Sequence, residues 1–256
     1  MLVRPKGKEA AVKIIPWCIP LVLLSGWQLL SWAGALPERI LPAPTKVFQA
    51  AIGLVSTGEL FSHVSISLTR ALAGFLIGGI IGFLFGLFNG VFRFADLVFD
   101  TSIQMLRNIP HLALIPLVIL WFGIDETSKI FLVALGVLFP VYINTYHGIK
   151  SVDKSLIEMG RAYGLKGGAL FFNVILPGAM SSILVGIRFS LGVMWLTLIV
   201  AETISAHSGI GYMAMNAREF MQMDVIVLSI VLYALFGKLS DVIARYLERR
   251  LLQWNM

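Results

Sequence analysis

Few residues in this chain carry side chains that could do chemistry, and their spacing excludes most of it. His63, His111, His147 and His207 stand at no metal-ligand spacing from one another. No Gly-x-x-x-x-Gly-Lys-Ser/Thr phosphate loop is present. No nucleophile pairs with a base inside the apolar runs. A catalytic site, a metal site and a bound cofactor are therefore not expected. The single cysteine, Cys18, excludes an intrachain disulfide; its place in the first apolar run predicts a buried, inert thiol.

What remains is a small set of polar residues out of keeping with their surroundings. Arg188 lies inside the apolar run 178–201, and Glu202 ends that run. A charge within a bilayer is expensive and marks function by default. Arg188 could line a passage for anions, or it could pair structurally with an acid such as Glu202 or with freed backbone carbonyls. Arg107, Asn108 and His111 cluster at the head of another run, where they could line the inner mouth of such a passage or anchor the helix at the interface. The stretch from Glu202 to Tyr212, with Gly209 and Gly211, suits an outer gate or a docking surface for a partner.

The second set is Glu158-Met159-Gly160-Arg161-Ala162-Tyr163-Gly164, followed by Val174-Ile175-Leu176-Pro177. Residues 157–163 read as a helix, with Gly164 as its stop. Residues 169–176 read as a second helix ended by Pro177 and Gly178. A surface of this kind either docks into a partner's groove or is simply a solvated loop.

Composition identifies the medium that must hold these residues. Of 256 residues, 58% are hydrophobic and 13% are charged, and mean hydropathy is +0.87. Soluble domains carry about a quarter charged residues, so water cannot be the main solvent here. Each bilayer crossing takes about 20 apolar helical residues, which leaves room for five or six spans. The expected fold is an all-α membrane protein, a polytopic bundle of about six transmembrane helices forming one domain over 1–256. A cytoplasmic loop at 151–177 interrupts it. The net charge of +6 would suggest nucleic acid in a soluble chain; in a membrane chain, topology explains it and no nucleic-acid partner is expected.

In order, spans are predicted over 14–37, 71–92, 108–123, 130–149, 178–201 and 225–244. A basic flank at positions 4, 6, 8 and 13 precedes the first, which Trp17, Trp27 and Trp32 bracket as interfacial aromatics. Between the first two spans, 38–70 is read as lying outside the hydrocarbon, with Thr45 capping a short amphipathic helix. The second span carries Gly74, Gly78, Gly82, Gly86 and Gly90, a four-residue stripe that predicts close helix packing. A short polar break is expected at 93–107, and Pro110 and Pro116 should break the third span. The region 202–224 should include a segment that does not cross. With the amino terminus inside, fourteen Lys and Arg residues fall on the inner side and five, at 39, 46, 70, 129 and 218, fall outside. The positive-inside rule then places both termini and the 151–176 segment in the cytoplasm.

Glu158, Gly164, Val174 and Leu176-Pro177 also stand at the spacing of the EAA loop, and the chain resembles the membrane permeases of ATP-binding-cassette importers. Met159 and Gly160 depart from the two alanines usual there. Ile40-Leu41-Pro42-Ala43-Pro44, the run from Asn108 to Leu117, Trp121-Phe122-Gly123, the run from Trp195 to Glu202, and Ser208 to Tyr212 are similar to the branch importing aliphatic sulfonates, taurine and nitrate. The aliphatic sulfonate permeases are the nearest match. The resemblance implies a type I importer fold and no enzymatic activity in this chain. ATP would be bound by two separate cytoplasmic ATPase subunits, with an extracytoplasmic binding protein and a second copy of the permease completing the assembly in the cell membrane. Glu158, Arg161, Ala162, Gly164, Leu176 and Pro177 would couple to the ATPases. Arg107, Asn108, Arg188 and Glu202 would serve the passage. Other readings are the same architecture carrying taurine or nitrate, a self-sufficient secondary transporter, and an intramembrane enzyme.

Overall fold

The computed structural model describes residues 6–252, with side chains from Cys18 onward; the basic flank at positions 4, 6, 8 and 13, and Trp17, lie outside the described side chains. Every regular element among the described residues is helical. In order these are α1 (Lys6–Trp32), α2 (Pro44–Ser56), α3 (Glu59–Val91), α4 (Arg93–Arg107), a 3-10 turn (His111–Leu114), α5 (Ile115–Phe122), α6 (Glu126–Lys150) and α7 (Lys154–Ala162). After these come α8 (Gly167–Leu170), a wide π turn (Phe171–Ile175), α9 (Leu176–Ser205), α10 (Ile210–Glu219) and α11 (Met223–Leu251).

Among the described residues, four helical stretches are long and apolar enough to cross a bilayer: α3, α6, the continuous run Gly167–Ser205, and α11. A fifth exists only as a pair, α4 with residues 111–122, bent by 80°. The expected third span is therefore not a straight crossing. Pro110 drives the residue before it away from helical geometry, and α5 is only 8 residues long. Pro116 breaks nothing, because it sits in the first turn of α5, where a helix has no use for that N–H. Residues 93–107, expected as a polar break, form a 15-residue helix.

The chain divides into two compact units, one of residues up to 62 with 213–231, the other of 63–212 with the residues from 232 onward. In the second unit α6 is central, with α3 and α9 packed on it. The glycine stripe of α3 faces α6 along its length. A Cβ on Gly86 would lie 2.6 Å from the Tyr142 carbonyl oxygen, and one on Gly74 would lie 2.6 Å from Val133 Cβ. Cβ atoms on Gly78 and Gly82 would collide with the carbonyls of Ala134 and Leu138. The other contact uses glycine from both partners. Gly136 and Gly148 of α6 meet Thr197 and Ser182 of α9, and Gly186 of α9 meets Asn144 and the Pro140 carbonyl. Pro140 bends no contact away from this seam. Its carbonyl accepts from Asn144 Nδ2 at 2.8 Å, and the Asn144 carbonyl accepts from Ser182 Oγ at 2.8 Å.

Polar bonds fasten α4 to α6. The Tyr146 hydroxyl donates to Asp96 Oδ1 at 2.6 Å and Lys150 Nζ to Asp96 Oδ2 at 2.8 Å. Apolar side chains remain exposed along α3 and α11, among them Leu76, Ile80, Leu84, Leu235 and Leu239. A surface this apolar fits lipid, and half-exposed helices are what the rim of a membrane bundle requires.

In the first unit, α2 begins at Pro44 and its N-cap is Ala43, so Thr45 does not cap it. Instead Gln28 of α1 reaches across: its Oε1 accepts the Thr45 N–H at 3.2 Å, which satisfies one of the donors a helix start leaves open. Cys18 lies exposed on α1, so the expected burial of this thiol does not hold.

Gly82→Leu is expected to destabilise the α3–α6 contact by the roughly 1–3 kcal/mol typical of overpacking, or more. Gly79→Ala, whose Cβ would meet only Val137 at 4.0 Å, should be neutral. Thermal unfolding of the detergent-solubilised pair of variants measures the difference.

Candidate functional site

The segment 153–177 is a helical hairpin whose turn chemistry is visible bond by bond. Asp153 caps α7 by accepting the Ser155 N–H at 2.9 Å. That bond holds its carboxylate below the usual range, so the cap is intact at neutral pH and weakens as pH falls through that lowered value. At the other end, the Gly164 N–H donates to Arg161 O and the Leu165 N–H to Gly160 O, at 2.9 and 3.0 Å. These are the paired bonds of a Schellman motif, and they demand a left-handed residue, which Gly164 supplies with φ of 86°. Gly160, where the EAA pattern has alanine, is buried, and a Cβ there would sit 2.8 Å from Leu170 Cδ1 and 3.1 Å from Val174 Cγ2. The glycine lets α7 close on the following turn.

The second half of the segment departs from the expected helix ending at Pro177 and Gly178. The helix does not stop there: residues 167–205 form one continuous helical run. The π turn makes this possible. Leu176 N–H donates to Phe171 O, five residues back, and the extra residue takes up Pro177, which has no N–H to offer. Leu176 and Pro177 are thus half-buried in the first turn of α9, while Glu158, Arg161, Ala162 and Gly164 are exposed. Tyr163 and Met159 are 83% and 51% exposed beside them, which gives the outer face of α7 an apolar, lightly charged surface.

Glu202 lies in a different kind of place, fully enclosed at the end of α9. Its side chain is 0% exposed, and that of Arg70, its cation, is 2% exposed. Arg70 Nη1 donates to Glu202 Oε1 at 2.8 Å and to Ser208 O at 2.6 Å. Its other two nitrogens clamp Glu126 at 2.5 Å each. Glu202 also accepts from Ser67 Oγ at 2.8 Å, the Gly211 N–H at 2.9 Å and the Tyr233 hydroxyl at 3.0 Å. Ser67 Oγ in turn accepts the Ile210 N–H at 2.8 Å, and His63 Nδ1 accepts the Gly209 N–H at 3.1 Å. The cluster thereby satisfies the first N–H groups of α10 and pins the turn before it. Gly209, with φ of 106°, is pressed against the Glu202 carboxylate. Lys129 Nζ, 3.4 Å from Glu126 Oε1, completes a set of two cations and two acids. Arg70 and Lys129, counted from sequence among the charges on the outer side, are buried helix residues.

Arg188 does pair with acids, though not with Glu202. Its Nε donates to Asp241 Oδ1 of α11 at 2.9 Å, and its Nη1 lies 3.7 Å from Glu248 Oε2. Glu202 takes no part. Arg107 and Asn108 end α4 on an exposed surface, and His111 Nε2 lies 3.2 Å from Thr197 Oγ1 on α9. The four residues read as pathway groups thus occupy three separate environments.

Comparison with known proteins places this geometry among relatives. Residues 74–253 match the model of a family described as binding-protein-dependent transport system inner membrane component. The chain is 62% identical, over 97% of its length and 94% of the relative's, to the Escherichia coli (strain K12) protein named for aliphatic sulfonates transport, SsuC. It is 46% identical to the Bacillus subtilis (strain 168) protein of the same name, over 93% of this chain and 86% of that one. Against the E. coli taurine transport system permease protein TauC, identity is 34% over 91% of this chain and 87% of that one. Among solved structures, the crystal structure of an amino acid ABC transporter with histidines superposes with a TM-score of 0.64 at 19% identity. That match covers 78% of this chain and 97% of the other. The fold is the one these transporters share.

Arg70→Met leaves Glu202 buried without its cation, a defect expected to cost about 3–5 kcal/mol. Tyr233→Phe removes one bond and should cost about 1–2 kcal/mol. Combining Arg70→Met with Glu202→Gln should cost less than the two single changes added together, because they share one interaction. Thermal unfolding in detergent reads all four proteins.

Proposed function

The chain belongs to the family of binding-protein-dependent transport system inner membrane components, and on that premise we propose that it is the permease subunit of an importer for aliphatic sulfonates. The observation that carries the substrate is the 62% identity, over nearly the full length, with a relative named for aliphatic sulfonates. The relative named for taurine stands at 34%.

The mechanism follows from the division of labour in such a system. Two copies of the permease enclose a passage, and separate cytoplasmic ATPase subunits bind and hydrolyse ATP. An extracytoplasmic binding protein delivers the substrate. The amino terminus, the end of α11 and the segment 151–177 face the cytoplasm, in keeping with the excess of Lys and Arg on that side. Exposed Glu158, Arg161, Ala162 and Gly164 on α7 meet the ATPase. Leu176 and Pro177 join that contact to α9 without a break, so a push on α7 is carried along a rigid run of 39 residues. Because α9 is packed through glycines on α6, and α6 on α3, the push moves three helices together. Alternating access is then a shift between two states that the ATPases bias.

Growth of a deletion strain on single sulfur sources tests this reading. Loss confined to alkanesulfonates, restored by the intact gene, is expected; loss confined to taurine, or none, would overturn the substrate. Gly164→Trp cannot hold the left-handed turn without strain, so it should insert normally but fail to restore growth. Normal substrate-stimulated ATP hydrolysis by the Gly164→Trp complex would refute the coupling role of α7.

A further inference from the structure

Arg188 and Asp241 line a groove of about 510 Å³ between α9 and α11, together with Phe189, Gly192, Leu196 and Gly237. Two features of this groove bear on what it can hold. The first is charge. Asp241 is shared by Arg188, by Arg245 at 2.5 Å and by Lys238 at 3.8 Å, and Glu248 is the second acid. Three cations face two acids, so the cluster carries an excess positive charge. Arg188 and Lys238 side chains are 42% and 61% exposed. Charges this open on spanning helices cannot face hydrocarbon; they require water or protein.

The second feature is the pair of glycines. The glycines of the α3–α6–α9 seam each meet a neighbouring helix at close range. Gly192 and Gly237 have nothing within 4 Å of where a Cβ would stand. A glycine inside a helix costs about 1 kcal/mol relative to alanine, and among the described residues no close contact offsets that at either position. They keep the walls bare on both sides of the groove, next to the cationic cluster.

We propose that this groove is an anion subsite of the translocation passage, in which the sulfonate head of the cargo meets Arg188 while its alkyl chain lies between Gly192 and Gly237. The proposal rests on the sulfonate reading above and adds a place to it. In the present structure Asp241 and Glu248 hold the guanidinium. An arriving sulfonate competes with them for it, so the site binds the anion weakly and releases it, as a passage must. Asp241 is a positioning residue and Arg188 the contact residue.

The test uses the full permease with its ATPase and binding protein in membrane vesicles, in a Cys18→Ser background. Gly192→Cys and Gly237→Cys introduce thiols where the structure has open space. Each is exposed to 2-sulfonatoethyl methanethiosulfonate and to its trimethylammonium counterpart. The sulfonate reagent should label both positions about tenfold faster than the cation, the scale on which a local field steers charged ligands. Pentanesulfonate should slow that labelling. Arg188→Gln should abolish the preference and Arg188→Lys should keep most of it. Leu235→Cys, on the exposed apolar surface of α11, should label with neither. Equal rates for the two reagents, or no labelling at the glycine positions, would overturn the proposal. So would a disulfide between two copies at Gly237→Cys, which would show that a second permease fills the groove. Should Arg188→Gln fail to insert, the reagent preference in the two cysteine proteins still decides. The sulfur-source experiment is independent. Lost alkanesulfonate growth with equal labelling rates refutes the subsite and spares the cargo; anion preference without pentanesulfonate protection refutes the sulfonate as its occupant.

Discussion

Lipid gives apolar side chains nothing to escape from, so the helices of this chain are held by close backbone approach more than by burial of grease. The contact on which everything else depends is the seam of α3, α6 and α9. Five glycines on α3 let its backbone sit against α6, four of them beside its carbonyls and Gly90 beside the Ile149 side chain, and three more bring α6 against α9. Dispersion at such short range is strong because it acts along whole helices at once. The three helices therefore pack as one body.

The same solvent makes every intramembrane charge expensive, and the structure handles its charges in two ways. Around Glu202 the charges are balanced and, Glu126 apart, enclosed, with donors from Ser67, Tyr233 and the Gly211 N–H completing the set. That arrangement fixes the turn before α10 and leaves no open valence for a ligand. Around Arg188 the charges are open and unbalanced, and the walls beside them are bare. Enclosure suits a joint; exposure beside a groove suits traffic.

Much of this was legible in the residues. The glycine stripe announced its contact by its four-residue step, and Gly164 announced the end of α7. Extending that step backward from Gly74 lands on Arg70, and close by on Ser67, so the buried face of α3 reaches further than its apolar run. Hydropathy hid this, because it places Arg70 outside the hydrocarbon. In the same way, Asp241 lies four residues after Gly237 and eight after Tyr233, on one face of α11, although nothing local to it identifies Arg188 as its partner. Pro177 looked like a stop because proline ordinarily ends a helix. Only the wide turn before it, a backbone adjustment with no fixed sequence signature, carries the helix through.

The sequence alone determined the medium, the helical class, the stripe on which α3 packs and the turn that shapes the coupling segment. Each of these depends on local composition or spacing, which a chain displays without folding. Tertiary structure decided which acids Arg70 and Arg188 meet, and that Glu202 is closed off while Arg188 is open. Those outcomes pair residues from 53 to 135 positions apart, and the choice between partners rests on distance and enclosure, which exist only once the helices have met.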